Sequence, residues 1–469
     1  MKNIEMIFGA PGTGKTTFLM DLLEDLLKKY NPNEIAFVSF TKKGSYEGRD
    51  RAIQRFNFSK EDFPYFKTLH AIAFKELSCS RYDMISKRHY KDFSKAMGMN
   101  FLGYYTEDLM NNDDKYLSAI SLKRNNPIAY EKSIKDMDQL KLAFIEQNYI
   151  RFKKEIGVLD FDDLLINCIK KDIHLPIKIA IIDEAQDLTT LQWNFCKMAF
   201  ADCEKIYIAG DDDQAIYEWS GSDIKQFLGL TKESSVKILD QSFRLKDDIL
   251  NFSKQISYKI KNRIDKKFRG ISKGGGIYFH NSLEDITINS EESWYFLNRN
   301  NYYLPVYKNY IMKKGIPFSY KGEPYIKPAI YQAIIKYEHL RQSKKAEKIN
   351  TVIDLKRFLK KDVQNFPVWY EAFDLIIEDQ AYYRDLFKNK IDINRNKINI
   401  STIHGVKGGE ADNVVLMLDI TKNVFLNIEQ NLDSELRCLY VACTRAKKNL
   451  NIIYSNSKFG YEELLNDQK

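Results

Sequence analysis

The residues Gly9-Ala10-Pro11-Gly12-Thr13-Gly14-Lys15-Thr16 have the types and spacing of a phosphate cradle. Glycines at 9, 12 and 14 permit turns and close approaches that a Cβ would hinder. Backbone amides of such a turn, and of the helix it opens, have no partner inside the helix and point at anionic oxygens. Lys15 brings positive charge to the outer phosphates, and the Thr16 hydroxyl is a ligand for Mg²⁺. Met6-Ile7-Phe8 reads as a short buried strand before the turn. Phe18, Leu19, Leu22, Leu23, Leu26 and Leu27 recur at helical spacing after it. Strand, glycine-rich turn and helix together predict that the chain binds a nucleoside triphosphate.

Hydrolysis needs further groups. Asp183 and Glu184 follow an apolar strand at 178–182. Asp183 is placed to hold Mg²⁺, and Glu184 to orient and deprotonate the attacking water. Gln214 follows the strand at 205–209, where its amide can meet the γ-phosphate or the water. Arg244 and Arg445 are candidates for the positive charge that phosphoryl transfer requires, and both are expected in a second core. Two cores facing one another across the nucleotide would then complete the site in cis. Tyr217 and Trp219 lie just beyond Gln214, and aromatic faces there can stack on bases of any sequence. Core packing is the competing role, but polar Glu218, Ser220 and Ser222 argue for exposed rings.

These residues must be carried by a framework. Strands at 6–8 and 35–40 with a helix between them form a βαβ unit and predict a parallel sheet. Lys42, Lys43, Arg49 and Arg51 make the stretch after the second strand basic, at a strand end where open α/β sheets meet ligands. The predicted fold class is α/β, two parallel-sheet cores each interrupted by a mainly helical subdomain. The boundaries are 1–80 with 157–235 for the first core, and 81–156 for its insertion. The second core is read at 236–328 with 396–469, and its short insertion at 329–395. The chain has 469 residues, 44% of them hydrophobic, with a net charge of +8. That balance excludes wholesale disorder and is compatible with a polyanionic partner. Six cysteines without Cys-x-x-Cys spacing read as buried hydrophobes in a reducing compartment. No apolar run is long enough to cross a bilayer, so a cytoplasmic protein without a membrane partner is expected.

The blocks, in their order, resemble the superfamily 1 helicases of the UvrD/Rep/PcrA type. They are GAPGTGKT at 9–16, SFT at 39–41, TLHAIAF at 68–74, LDFDDLL at 159–165 and IIDEAQD at 181–187. GDDDQAIYEWSGS at 210–222, LDQSFRL at 239–245, STIHGVKGGE at 401–410 and LYVACTRAKKNL at 439–450 complete the series. The resemblance implies two RecA-like cores with ATP hydrolysed between them. It implies nucleotide contacts from Gly9, Ala10, Gly12, Thr13, Gly14, Lys15, Thr16, Thr17 and Glu410, and hydrolytic roles for Lys15, Glu184, Gln214, Arg244 and Arg445. Single-strand contacts are implied for Thr41, Thr68, His70, Tyr217, Trp219, Thr402 and His404. The activity implied is ATP-driven movement on single-stranded DNA, normally 3′→5′, with duplex opening at junctions. A monomer that meets replication or repair proteins, in a bacterial or phage-infected cell, is the corresponding expectation. The compact build is similar to a phage or mobile-element version. Only eight residues precede Gly9, so the family's adenine-reading Gln segment is expected to be missing or replaced. Ser220 stands where Arg is usual, and Gly409 where Leu is usual. The short second insertion motivates an alternative from another class, a nucleic-acid-stimulated ATPase that remodels protein–DNA complexes or recruits partners without processive unwinding.

Overall fold

A computed structural model describes residues 3–39, 42–103, 113–343, 353–360 and 367–465. Contacts divide the chain into two compact units, residues 1–274 with 428–444 and residues 275–427 with 445–469.

The first unit holds strands β1 (Ile4–Gly9), β2 (Ile35–Ser39), β3 (Phe66–Lys67), β4 (Ile179–Asp183), β5 (Lys205–Gly210) and β6 (Ser235–Leu239). They lie in the order β3-β2-β4-β5-β1-β6, and every pairing is parallel. β2 and β4 are buried along their whole length, as unbroken apolar strands must be when both faces are covered. Alternate residues feed two cores. Met6, Phe8, Val38, Ile182 and Ile208 pack with Leu69, Leu164 and Trp193 on one face. Ile7, Phe37 and Ile181 pack on the other face with Leu19 and Leu23 of the helix Lys15–Leu27.

β6 differs from expectation. The second core was expected to open at residue 236, but residues 235–239 pair with β1, Phe8 opposite Ile238, and so complete the first sheet. The helix Leu432–Cys443 likewise belongs to the first unit and not to the second. Asp433 in that helix accepts the backbone amides of Lys261 and Asn262 at 2.9 and 3.0 Å, which ties it there.

The first insertion is helical, with Lys87–Met97, Asp114–Asn125, Pro127–Ser133 and Gln139–Ile156. It has a core of its own around Phe93, Phe101, Leu117, Ile120, Ile145 and Tyr149. An ionic cluster joins it to the sheet domain. Arg124 reaches Asp160 at 2.7 Å, Asp162 at 2.9 Å and Asp163 at 3.0 Å, while Lys153 reaches Asp160 at 2.6 Å and also pairs with Asp163. The acidic block 159–165 is thus the anchor of the insertion.

The second unit contains β7 (Gly276–His280), β8 (Trp294–Asn298), β9 (Phe318–Tyr320), β10 (Glu323–Pro324), β11 (Ile398–Thr402), β12 (Ala411–Met417) and β13 (Ala446–Ile453). Their order is β10-β9-β11-β8-β12-β13-β7, and only β9 with β10 is antiparallel. Here the insertion does not stand apart. Tyr337, Trp369, Tyr382 and Leu386 share one core with Phe296, Tyr307, Phe318 and Ile400 of the sheet region. All six cysteines are free thiols, and five are buried. No helix among the described residues is long and apolar enough to cross a membrane.

Candidate active site

The turn after β1 adopts the conformations its glycines allow, with φ of 75° at Gly12 and 76° at Gly14. A Cβ at Gly12 would lie 2.3 Å from the Arg244 Cβ, so this glycine is required by close approach as well as by φ. Thr13 Oγ1 donates to the Ala10 carbonyl at 2.9 Å and closes the loop. Lys15 is buried, and its Nζ donates to the Gly9 carbonyl at 2.7 Å. Thr16 and exposed Thr17 stand in the first turn of the helix.

Arg244 is beside this loop, inside the first unit, rather than in a second core. The cause is β6, which delivers residues 240–245 to the end of β1. Two bonds then weld the segments. Ser242 Oγ donates to the Pro11 carbonyl at 2.9 Å, and the Phe243 amide donates to the Gly12 carbonyl at 2.7 Å. Phe243 itself is 67% exposed, with its ring 3.8 Å from where a Gly14 Cβ would stand. An exposed aromatic face against a phosphate loop can stack on a nucleobase. Sequence reasoning passed over Phe243; its adjacency to Arg244 was the available signal.

Because the first sheet is parallel, Gly9, Asp183, Gly210 and Leu239 end their strands on one edge. Asp183 is buried, and one of its oxygens accepts the Glu184 amide at 2.9 Å. Glu184 has φ of 53°, a left-handed conformation that costs a non-glycine residue roughly 1–3 kcal/mol. Its carboxylate accepts from Gln186 Nε2 at 2.6 Å. Gln186 Oε1 accepts the Asp211 amide at 3.1 Å, and Gln214 Nε2 donates to Asp211 at 2.8 Å. A chain of hydrogen bonds therefore connects Glu184 to Gln214 through Gln186 and Asp211. Neither linking residue was singled out from sequence. Thr16 and Asp183 offer hard oxygen donors, which suits a magnesium ion that takes its remaining ligands from phosphates and water. Among the described residues no group of three or more His, Cys, Asp or Glu side chains is arranged to hold a metal alone.

The residues expected at a nucleic-acid strand are differently supported. Thr41 lies outside the described residues. Thr68 caps the helix Leu69–Glu76, its Oγ1 accepting the Ala71 amide at 3.3 Å. His70 is half-buried, edge-on to Phe161 at 5.9 Å, and burial lowers its pKa to about 4, so the ring is neutral at pH 7. Tyr217 and Trp219 are half-buried, not exposed as their polar neighbours suggested. Those neighbours hold the loop instead. Glu218 pairs with Arg437 at 2.5 Å, and Ser220 Oγ donates to the Tyr217 carbonyl at 2.9 Å. Burial, with Asp187 and Glu184 nearby, pushes the Tyr217 phenol well up. Asn126 of the helical insertion donates to the Gly221 carbonyl at 3.3 Å, so the insertion also fixes this loop.

In the second unit the predicted residues fall on opposite edges of one sheet. Thr402 ends β11, where its Oγ1 accepts the Gly405 amide at 3.3 Å, and His404 follows in the turn His404–Val406. Glu410 and Arg445 precede β12 and β13. Arg445 is buried and donates to the Gly409 carbonyl at 2.9 Å; Glu410 is exposed, 3.7 Å from Lys447. A Cβ at Gly409 would lie 2.5 Å from the Tyr295 hydroxyl, at the tip of a side chain that can shift, and 3.2 Å from the Val406 carbonyl oxygen.

A phosphate loop after β1, an acid pair after β4 and an amide after β5, all on one edge of a parallel sheet, define a P-loop nucleotide-hydrolysing domain. The chain belongs to the UvrD/REP helicase family: residues 1–235 match the UvrD/REP helicase N-terminal domain, and residues 397–453 the UvrD-like helicase C-terminal domain. It is 22% identical to the ATP-dependent DNA helicase Rep of Buchnera aphidicola, over 98% of this chain and 92% of that protein. It is 23% identical to the ATP-dependent DNA helicase PcrA of Staphylococcus aureus (strain Mu50 / ATCC 700699), over 60% of this chain and 41% of PcrA. Rep of Escherichia coli is 23% identical over 68% of this chain and 53% of that protein.

Proposed function

We propose that the chain is an ATP-dependent DNA helicase that moves on single-stranded DNA in the 3′→5′ direction and opens duplexes at single-strand junctions. The convergence of Lys15, Asp183, Glu184, Gln214 and Arg244 on one sheet edge carries this reading. Backbone amides of residues 9–16 bind the phosphates, and Lys15 leaves the Gly9 carbonyl to meet them. Glu184 takes the proton of the attacking water, and Gln214 orients that water. Thr16 and Asp183 would hold Mg²⁺, which neutralises phosphate charge when bound. Arg244, beside the loop, and Arg445, ahead of β13, are the cations assigned to charge developing in transfer. Tyr217 and Trp219 lie three and five residues past Gln214, so the segment that senses the phosphate also carries the base-stacking rings. Thr402 and His404, at the carboxyl end of β11 in the second unit, are the strand contacts assigned to that unit.

Steady-state hydrolysis of ATP with and without oligo-dT tests the proposal. Stimulation of tenfold or more is expected, and an unstimulated rate would overturn it. The alternative, an ATPase that remodels protein–DNA complexes without processive unwinding, is favoured by one observation. The second insertion shares its core with the sheet instead of forming a separate body.

A further inference from the structure

Lys266 is an ammonium in the protein core, 1% exposed, and it touches three consecutive carboxylates. It lies 2.8 Å from Asp211 and 3.1 Å from Asp213, and it also donates to Asp212. Its own segment clamps the same loop. Arg263 forks onto Asp213 with two bonds of 2.9 Å, and the Ile264 amide donates to Asp212 at 2.7 Å. From the other side Arg437 donates to the Asp212 carbonyl at 2.9 Å and to the Asn262 carbonyl at 2.6 Å. Burying three acids together is unfavourable unless cations of this kind accompany them. Nothing in phosphate binding asks for a lysine here.

The junction of the cluster is Asp211. Its amide donates to Gln186, which holds Glu184, and its carboxylate accepts from both Gln214 and Lys266. An ionised carboxylate can only accept hydrogen bonds, so it selects the nitrogen of the Gln214 amide and turns Oε1 the other way. A protonated Asp211 would offer a hydrogen and let that amide flip. The charges around it are Lys266, Lys15 and Arg263 on the positive side, with Asp212 and Asp213 on the negative side. We propose that Lys266 is a positioning residue for ATP hydrolysis, which by anchoring Asp211 fixes the amide of Gln214 and, through Gln186, the carboxylate of Glu184. This rests on the hydrolytic roles given above to Glu184 and Gln214.

The test separates positioning from mere stability. Lys266→Met leaves three buried acids short of one cation and is expected to lower the melting temperature as well as the turnover rate. Lys266→Met combined with Asp212→Asn removes one charge of each sign and keeps an oxygen for the Ile264 amide, so the melting temperature recovers. Turnover with saturating oligo-dT is expected to stay at least tenfold below that of the unaltered chain, with KM for ATP within threefold. Asp211→Asn, which keeps the shape of the side chain, is expected to show the same loss of kcat with a normal melting temperature. Recovery of kcat along with melting temperature in the double variant, or normal kcat in Asp211→Asn, would overturn the inference. An unaltered chain that hydrolyses no ATP would instead overturn the function on which it rests.

Discussion

At the scale of single residues, Glu184, the proposed general base, holds a left-handed backbone conformation. The bond from its amide to Asp183 and the grip of Gln186 on its carboxylate offset the strain and set where the base points. Glu184→Gln retains that hydrogen-bonding capacity but removes the proton acceptor. We predict ATP binding close to that of the unaltered chain and turnover lowered by roughly 10²–10⁴, the span attributed to general base catalysis. A nucleotide-binding titration beside steady-state hydrolysis reads both quantities. Phe243 makes a second case. Truncation to Ala removes an exposed aromatic face beside Gly14, and a stack of this type contributes about 1 kcal/mol. KM for ATP should rise roughly fivefold with kcat little changed, since stacking on the base does not alter phosphoryl transfer. The phosphate loop and the acid pair were legible in sequence because their chemistry is local. Phe243, Gln186 and Lys266 were not, because each acquires a role only where separate segments meet.

At the scale of elements, the first insertion shows what an acidic block can conceal. The first core was expected to resume at residue 157, and the helix Phe161–Lys170 follows closely. The charges of residues 159–165 serve a further purpose, as partners for Arg124 and Lys153 from the insertion. Burial opposes charge on Arg124, Asp160 and Asp162, yet the two cations hold the Asp160 carboxyl far below the usual carboxylate range. Arg124→Ala leaves Asp160 and Asp162 undercompensated in a buried setting. A loss of about 3–5 kcal/mol is expected, measured by denaturant unfolding. The Tyr217–Ser222 segment should loosen too, because Asn125 and Asn126, the two residues after Arg124, contact Thr189 and the Gly221 carbonyl. β6 carries the opposite lesson. Residue 236 was expected to open the second core, but the sheet that residues 235–239 join is decided by register with β1, a pairing across more than two hundred residues that composition does not encode.

At the scale of the whole molecule, two parallel sheets were expected from the alternation of strands and helices, and two sheets are present, parallel in every pairing but β9 with β10. The division differs in detail, because residues 236–274 and the helix Leu432–Cys443 associate with the first unit. Arg244 moves with them to the phosphate loop, while Arg445 begins the part of the chain returned to the second unit. We propose that nucleotide hydrolysis on the first sheet drives travel along one DNA strand and opens the duplex ahead of it. ATP-dependent strand separation, measured side by side on duplexes with a 3′ or a 5′ single-stranded tail, tests it most directly. The account predicts rapid opening of the 3′-tailed duplex, little of the 5′-tailed one, and none with Lys15→Ala. Hydrolysis stimulated by DNA without opening of either duplex would contradict it.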